Sequence, residues 1–171
     1  SLSTSESIVQ VSGEDESGHQ RMLQKLAALA EHAKQKNRYY GDSMALAFRS
    51  LRSSEKLTES VTKRLQFDVQ HGMLELRLGN ERDAIQYLNS GYERAHQLHA
   101  EKVINTETML NAVFRLGLAY LRLGETQNCC LQHNADSCLL PIQGHGVHSD
   151  EEGSRQAIRF FTEVLDRWNH G

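Results

Sequence analysis

The stretch Leu116-Gly117-Leu118-Ala119-Tyr120-Leu121-Arg122-Leu123-Gly124 decides the fold, because the chain carries its pattern twice. The earlier copy is His71-Gly72-x-x-Glu75-x-x-Leu78-Gly79, and it is followed by Ala84-x-x-x-Leu88. A small residue inside a helix lets a partner helix approach closely, so Gly72 and Gly117 mark crossing points and Ala84 the facing small surface. Gly79 and Gly124 are expected to supply the left-handed turn that ends each first helix. In the second copy the matching small position falls on Cys129, whereas Ala157-x-x-x-Phe161 comes later. An insert of about 28 residues, spanning Asn128 to Ser154, thus splits the second pair.

This double pattern resembles the tetratricopeptide repeat, whose first helix carries Leu-Gly-x-x-Tyr and whose second carries Ala-x-x-x-Phe. The resemblance implies an all-α fold of antiparallel helical hairpins, about three pairs, with a Cys/His-rich loop inserted in the last repeat. It also implies that first helices line a concave surface. Carried over, that surface takes Gln66, Val69, Met73 and Leu76 from the first unit and Asn111, Phe114, Leu118 and Leu121 from the second. Gln70, Arg77, Arg115 and Arg122 edge it. An exposed apolar strip of this kind marks a partner site, unless the N-terminal helices or the insert fold over it. A generic antiparallel bundle is the plainer alternative.

Outward from the repeats, apolar residues recur at helical spacing elsewhere too. Met22, Leu23, Leu26, Leu29 and Ala30 predict a helix over 17–37, and Met44, Leu46, Ala47, Phe48 and Leu51 one over 43–53, with Gly41 as the break. These two are expected to form a degenerate first pair. Further helices are expected over 57–78, 81–99, 105–123 and 154–168, and no stretch alternates long enough for a strand. Residues 1–16 are Ser/Glu-rich and read as a disordered lead-in, leaving 17–171 as one helical-repeat domain. The net charge of −3 excludes a basic field for nucleic acid. No apolar run reaches the roughly 20 residues of a membrane span. The chain opens at Ser1 without Met and reads as an excised fragment, so a missing signal peptide says nothing about export.

The insert gathers all three cysteines with His133, His145 and His148. Four readings stay open. Cys129, Cys130, His133, Cys138, His145 and His148 offer donors that suit Zn²⁺ or copper, with Asp136 and Asp150 as further acceptors, although the spacing is not that of a zinc finger. Cys129 or Cys130 paired with Cys138 would instead close a loop of about ten residues, contributing about 2–3 kcal/mol. A cysteine nucleophile with a histidine base is allowed by residue type, but no acid partner or oxyanion donor can be assigned. Reduced cysteines packing as small apolar residues complete the set. Leu139-Leu140-Pro141-Ile142 is expected to anchor the loop, and loops this long in compact domains are usually functional.

From Asn128-Cys129-Cys130-x-x-His133-Asn134-x-x-Ser137-Cys138-x-x-Pro141-Ile142, through Gly146-Val147-His148 to Gly153-Ser154-Arg155-x-Ala157-Ile158, the chain is similar to one group of bacterial proteins. In these a helical-repeat N-terminal region continues into FG-GAP/VCBS propeller repeats and an ASPIC/UnbV domain. The resemblance covers roughly Phe67 to Trp168. It implies an exported, periplasmic or extracellular parent protein and assigns no reaction to this region. Calcium ligands of the propeller cannot be carried over. The expectation is a non-catalytic scaffold that receives a protein or peptide, or the C-terminal domains of its own full-length chain. The alternative is a metal-binding module completed by other domains.

Overall fold

The computed structural model describes residues 18–36, 41–52, 60–137 and 139–170, and every regular element among them is helical. The lead-in read over 1–16 and the candidate ligand Cys138 lie outside the described residues. The chain divides into two units, Ser1–Tyr40 and Gly41–Gly171. The first contains α1 (Gly18–Lys36), whose stripe of Met22, Leu23, Leu26 and Leu29 is solvent-exposed. The second contains α2 (Ser43–Arg52), α3 (Val61–Arg77), α4 (Glu81–Ala100), α5 (Thr106–Glu125) and α6 (Glu152–His170). The expected first pair is therefore divided between the two units.

Within the second unit, α2 packs on α3, α3 on α4, α4 on α5 and α5 on α6. The starts of α3 and α5 are fixed by side chains that accept from otherwise unpaired backbone N–H groups. Ser60 Oγ accepts from Lys63 N at 3.5 Å, and Asn105 Oδ1 accepts from Thr108 N at 2.9 Å. The core runs through the middle of the array and centres on Leu65, Leu88, Leu98, Met109, Val113, Leu116 and Phe160.

The two crossing glycines act alike. A methyl group on Gly72 would stand 2.5 Å from Leu88 Cγ and 3.0 Å from Ala84 O. One on Gly117 would stand 2.8 Å from the Phe161 ring. Ala157-x-x-x-Phe161 on α6 thus faces α5 as Ala84-x-x-x-Leu88 on α4 faces α3.

The two turn glycines do not act alike, and here the expectation is corrected. Gly79 has φ of 80° and turns the chain from α3 into α4. Gly124 stays inside α5, which runs on to Glu125 and then into one π-helical turn, Thr126–Cys130. It packs there against Gly153, and it is Gly153 that must be small. A methyl group on Gly153 would stand 2.5 Å from Gly124 N and 2.7 Å from Tyr120 O, so two glycine backbones touch where α6 begins. Asn128 Nδ2 also donates to Gly124 O at 2.9 Å, holding the helix end in register.

Candidate functional site

A groove of about 560 Å³ opens between α3 and α5. Leu65, Val69, Ile104 and Ala112 give it an apolar floor. Thr62, Gln66 and Gln70 form one polar rim, and Glu107, Thr108, Asn111 and Arg115 the other. Each rim follows a helix at steps of four residues, roughly 6 Å of rise, so polar groups recur along both walls. Arg115 Nε donates to Asn111 Oδ1 at 2.6 Å, leaving the Asn111 amide N–H groups for a ligand.

Of the groove residues expected from the sequence, Gln66, Val69, Gln70, Asn111 and Arg115 meet here. The others go elsewhere. Met73 and Leu76 are half-buried against the core. Arg77 donates to Gly41 O at 3.1 Å, and Arg122 pairs with Glu125 at 2.7 Å. Phe114 is 47% exposed, with its ring centroid 5.6 Å from that of Phe161. Leu118 is half-buried and Leu121 exposed.

A second constellation lies where α2 meets α3. Glu75 and His71 are wholly buried, four residues apart on one face of α3. Arg49 of α2 clasps Glu75 with two hydrogen bonds, Nε to Oε1 at 2.7 Å and Nη2 to Oε2 at 2.6 Å. Asn80 Nδ2 donates to Glu75 Oε2 at 2.8 Å. Alongside, Asp68 accepts from Arg52 at 3.1 Å and Arg94 at 3.4 Å. The His71 ring stacks on Tyr87 at 3.9 Å, and its Nε2 lies 3.2 Å from Glu75 Oε1. His71 Nδ1 is buried without a hydrogen-bond partner. Burial pushes the His71 imidazole below its ordinary value of 6.5, against the pull of Glu75. The Arg49 hydrogen bonds hold the Glu75 carboxyl below its ordinary 4.5, against desolvation. A neutral His71 with its proton on Nε2, donating to an ionised Glu75, fits both directions. This cluster escaped the reading of the sequence, although a His and a Glu at positions filled by Leu116 and Tyr120 in the second copy were its visible signal.

The insert is framed by hydrogen bonds, not by the apolar anchor expected of it. Leu139, Leu140 and Ile142 are 60%, 87% and 52% exposed. Asn128, buried, donates through Nδ2 to Asp150 O at 2.8 Å and accepts on Oδ1 from Asp150 N at 3.0 Å. Asn134 accepts from Asp136 N at 2.9 Å and donates to His145 O at 2.9 Å. A methyl group on Gly146 would strike the Asp136 backbone. Amide side chains therefore replace apolar burial as the loop's fastening.

Among the candidate ligands, Cys129 Sγ and His148 Nε2 stand 3.4 Å apart. Cys130, His133 and His145 are exposed. Among the described residues, no group of three or more His, Cys, Asp or Glu side chains is arranged to hold a metal ion. A disulfide to Cys138 falls outside those residues. None of the described helices is long and apolar enough to cross a membrane. No family model, curated protein or solved structure matches the chain.

Proposed function

We propose that this region is a non-catalytic interaction scaffold of tetratricopeptide-like design, whose α3–α5 groove receives an extended stretch of protein or peptide. The observation that carries the reading is the groove itself: an apolar floor between two polar rims, lined by Val69 among its apolar residues and by Gln66, Gln70 and Asn111 among its polar ones. Amide side chains both donate and accept, so they can satisfy the main chain of an extended segment while its apolar side chains rest on the floor. The matching contacts of Gly72 with Leu88 and Gly117 with Phe161 favour a repeated hairpin over a generic bundle.

A random peptide display library selected on the whole chain tests this. Enriched peptides should lose about tenfold or more in affinity against Val69→Arg and Asn111→Arg variants of unchanged helicity, a difference of about 1.4 kcal/mol. Peptides that bind both variants as tightly as the parent would remove the groove as the site.

A second reading, metal binding by the insert, rests on the Cys129–His148 separation of 3.4 Å. Zinc bonds of about 2.3 Å to sulfur and 2.0 Å to nitrogen place two tetrahedral ligands about 3.5 Å apart. Elemental analysis of untagged protein decides it. Zinc or copper at about one per chain, lost in His148→Ala, supports the reading. Metal-free protein with an unaltered fold rejects it.

A further inference from the structure

We infer that α2 is an acid-released latch, docked on α3 while Glu75 is ionised and His71 neutral, and lifting away as this cluster takes up protons. The first ground is how much of the helix's hold on α3 is carried by charged groups. Ala45 is the buried residue of α2, while Leu46 and Leu51 are each 50% exposed. Apolar attachment includes Ala45, the half-buried Met44 and Phe48, whose ring stacks on Phe67 at 4.9 Å and lies 5.9 Å from that of His71. Charged and polar contacts add to this: Arg49 on Glu75, Arg52 on Asp68 and over the Tyr87 ring at 4.5 Å, and Arg77 on the Gly41 carbonyl at 3.1 Å.

The second ground is the charge balance around His71. Arg49 and Arg52 face it from α2, Asp68 and Glu75 share its own helix, and Asp83, Tyr87 and Arg94 belong to α4. On the groove side, the charged groups of α5 are Glu107 and Arg115. With His71 neutral, the three guanidinium groups of Arg49, Arg52 and Arg94 already match the three carboxylates of Glu75, Asp68 and Asp83. A proton on His71 adds a buried cation that Arg49 and Arg52 both oppose, with Glu75 already engaged by Arg49 and no new anion to receive it. The cheapest relief is to expose the imidazole, and among the described residues α2 packs mainly on one neighbouring helix, α3, whereas α3, α4 and α5 each pack on at least two. The arginine that departs, Arg49, already has a 41% exposed side chain, so its rehydration is easy.

Hydrogen exchange on the full chain tests the latch. Amide protection over 43–52, corrected for intrinsic exchange, should fall severalfold, up to about tenfold, between about pH 7.5 and about pH 5.5, a range that brackets ordinary histidine titration. Protection in α5 and α6 should not change. In His71→Leu, which takes the residue found at the matching place in α5, α2 protection should become independent of pH over that range. His71→Gln serves the same purpose if His71→Leu does not fold. Constant α2 protection in the parent chain, an equal fall in α5 and α6, or the same fall in the substituted chain would overturn the proposal. So would an NMR titration in which His71 protonates at or above its ordinary 6.5.

Discussion

His71-Gly72-x-x-Glu75 on α3 and Leu116-Gly117-x-x-Tyr120 on α5 hold the same register, yet they solve their packing in opposite ways. Both glycines admit the partner helix, and the residue opposite is Leu88 in one case and Phe161 in the other. An aromatic ring just before that residue meets the first helix in each: Tyr87 stacks on His71 at 3.9 Å, and Phe160 on Tyr120 at 5.7 Å. The difference lies at the first and last positions of the motif. In α5 they are Leu116 and Tyr120, set among apolar neighbours, and burial raises the Tyr120 hydroxyl above its usual 10.0. In α3 they are His71 and Glu75, and the partner that makes their burial tolerable is Arg49 on α2. Glycine spacing sets how closely two helices approach; the next helix along sets which side chains can fill the space.

The sharpest break in this comparison is Gly153→Ala. Its methyl group meets backbone that cannot rotate away, 2.5 Å from Gly124 N, so chemical denaturation should show a loss of about 3 kcal/mol or more. Next comes Glu75→Ala, which strips the buried His71 and the Arg49 clasp of their acceptor and should cost about 3 kcal/mol. The double change His71→Leu with Glu75→Tyr writes the α5 pattern into α3. It should recover most of that loss, to within about 1–2 kcal/mol of the parent, since apolar replacement of buried ionic groups is often close to neutral.

The same pair separates the chains by pH. His71 and Glu75 both have folded values below their unfolded ones of 6.5 and 4.5, so their contribution is complete above those values and is lost as pH falls. Thermal melts of the parent should decline below about pH 6.5, while the double variant should hold level to about pH 5. Asn128→Ala should cost about 1–2 kcal/mol, because it leaves the Asp150 N–H and two carbonyls unpaired. The smallest contrast is between the paired glycines. Gly79→Ala should lose about 1 kcal/mol at its positive φ. Gly124→Ala should stay within about 0.5 kcal/mol of zero, as gained helix propensity offsets crowding on Ser154 N.

What could be read in the sequence follows the reach of each interaction. Helix periodicity and the Gly72–Ala84 and Gly117–Ala157 matches are local patterns repeated at fixed spacing, and they led to the right helices and the right partner surfaces. Gln66, Val69, Asn111 and Arg115, carried over from the repeat resemblance, line the cavity between α3 and α5. Phe114 and Arg77 do not, since Phe161 and the Gly41 carbonyl lie far off in the chain. Gly124 misled for the same reason. Its spacing matches a turn, but Gly153, which keeps it helical, arrives only after the insert. Leu139 to Ile142 looked like an anchor by hydropathy, whereas one asparagine at each critical bend was enough to fasten the loop.

The Asn128–Asp150 fastening has a consequence for how such a chain can change. It stitches the two ends of the insert side by side, next to the Gly124–Gly153 contact. Between those ends the insert meets α6 along one cleft, where Ile142, Val147 and His148 face Ser154, Arg155 and Ile158, while the neck itself is closed by Asn128, Asp150 and the two glycines. The neck is a natural graft point, where a lineage or an engineer can exchange cargo while the joined ends of α5 and α6 stay in place.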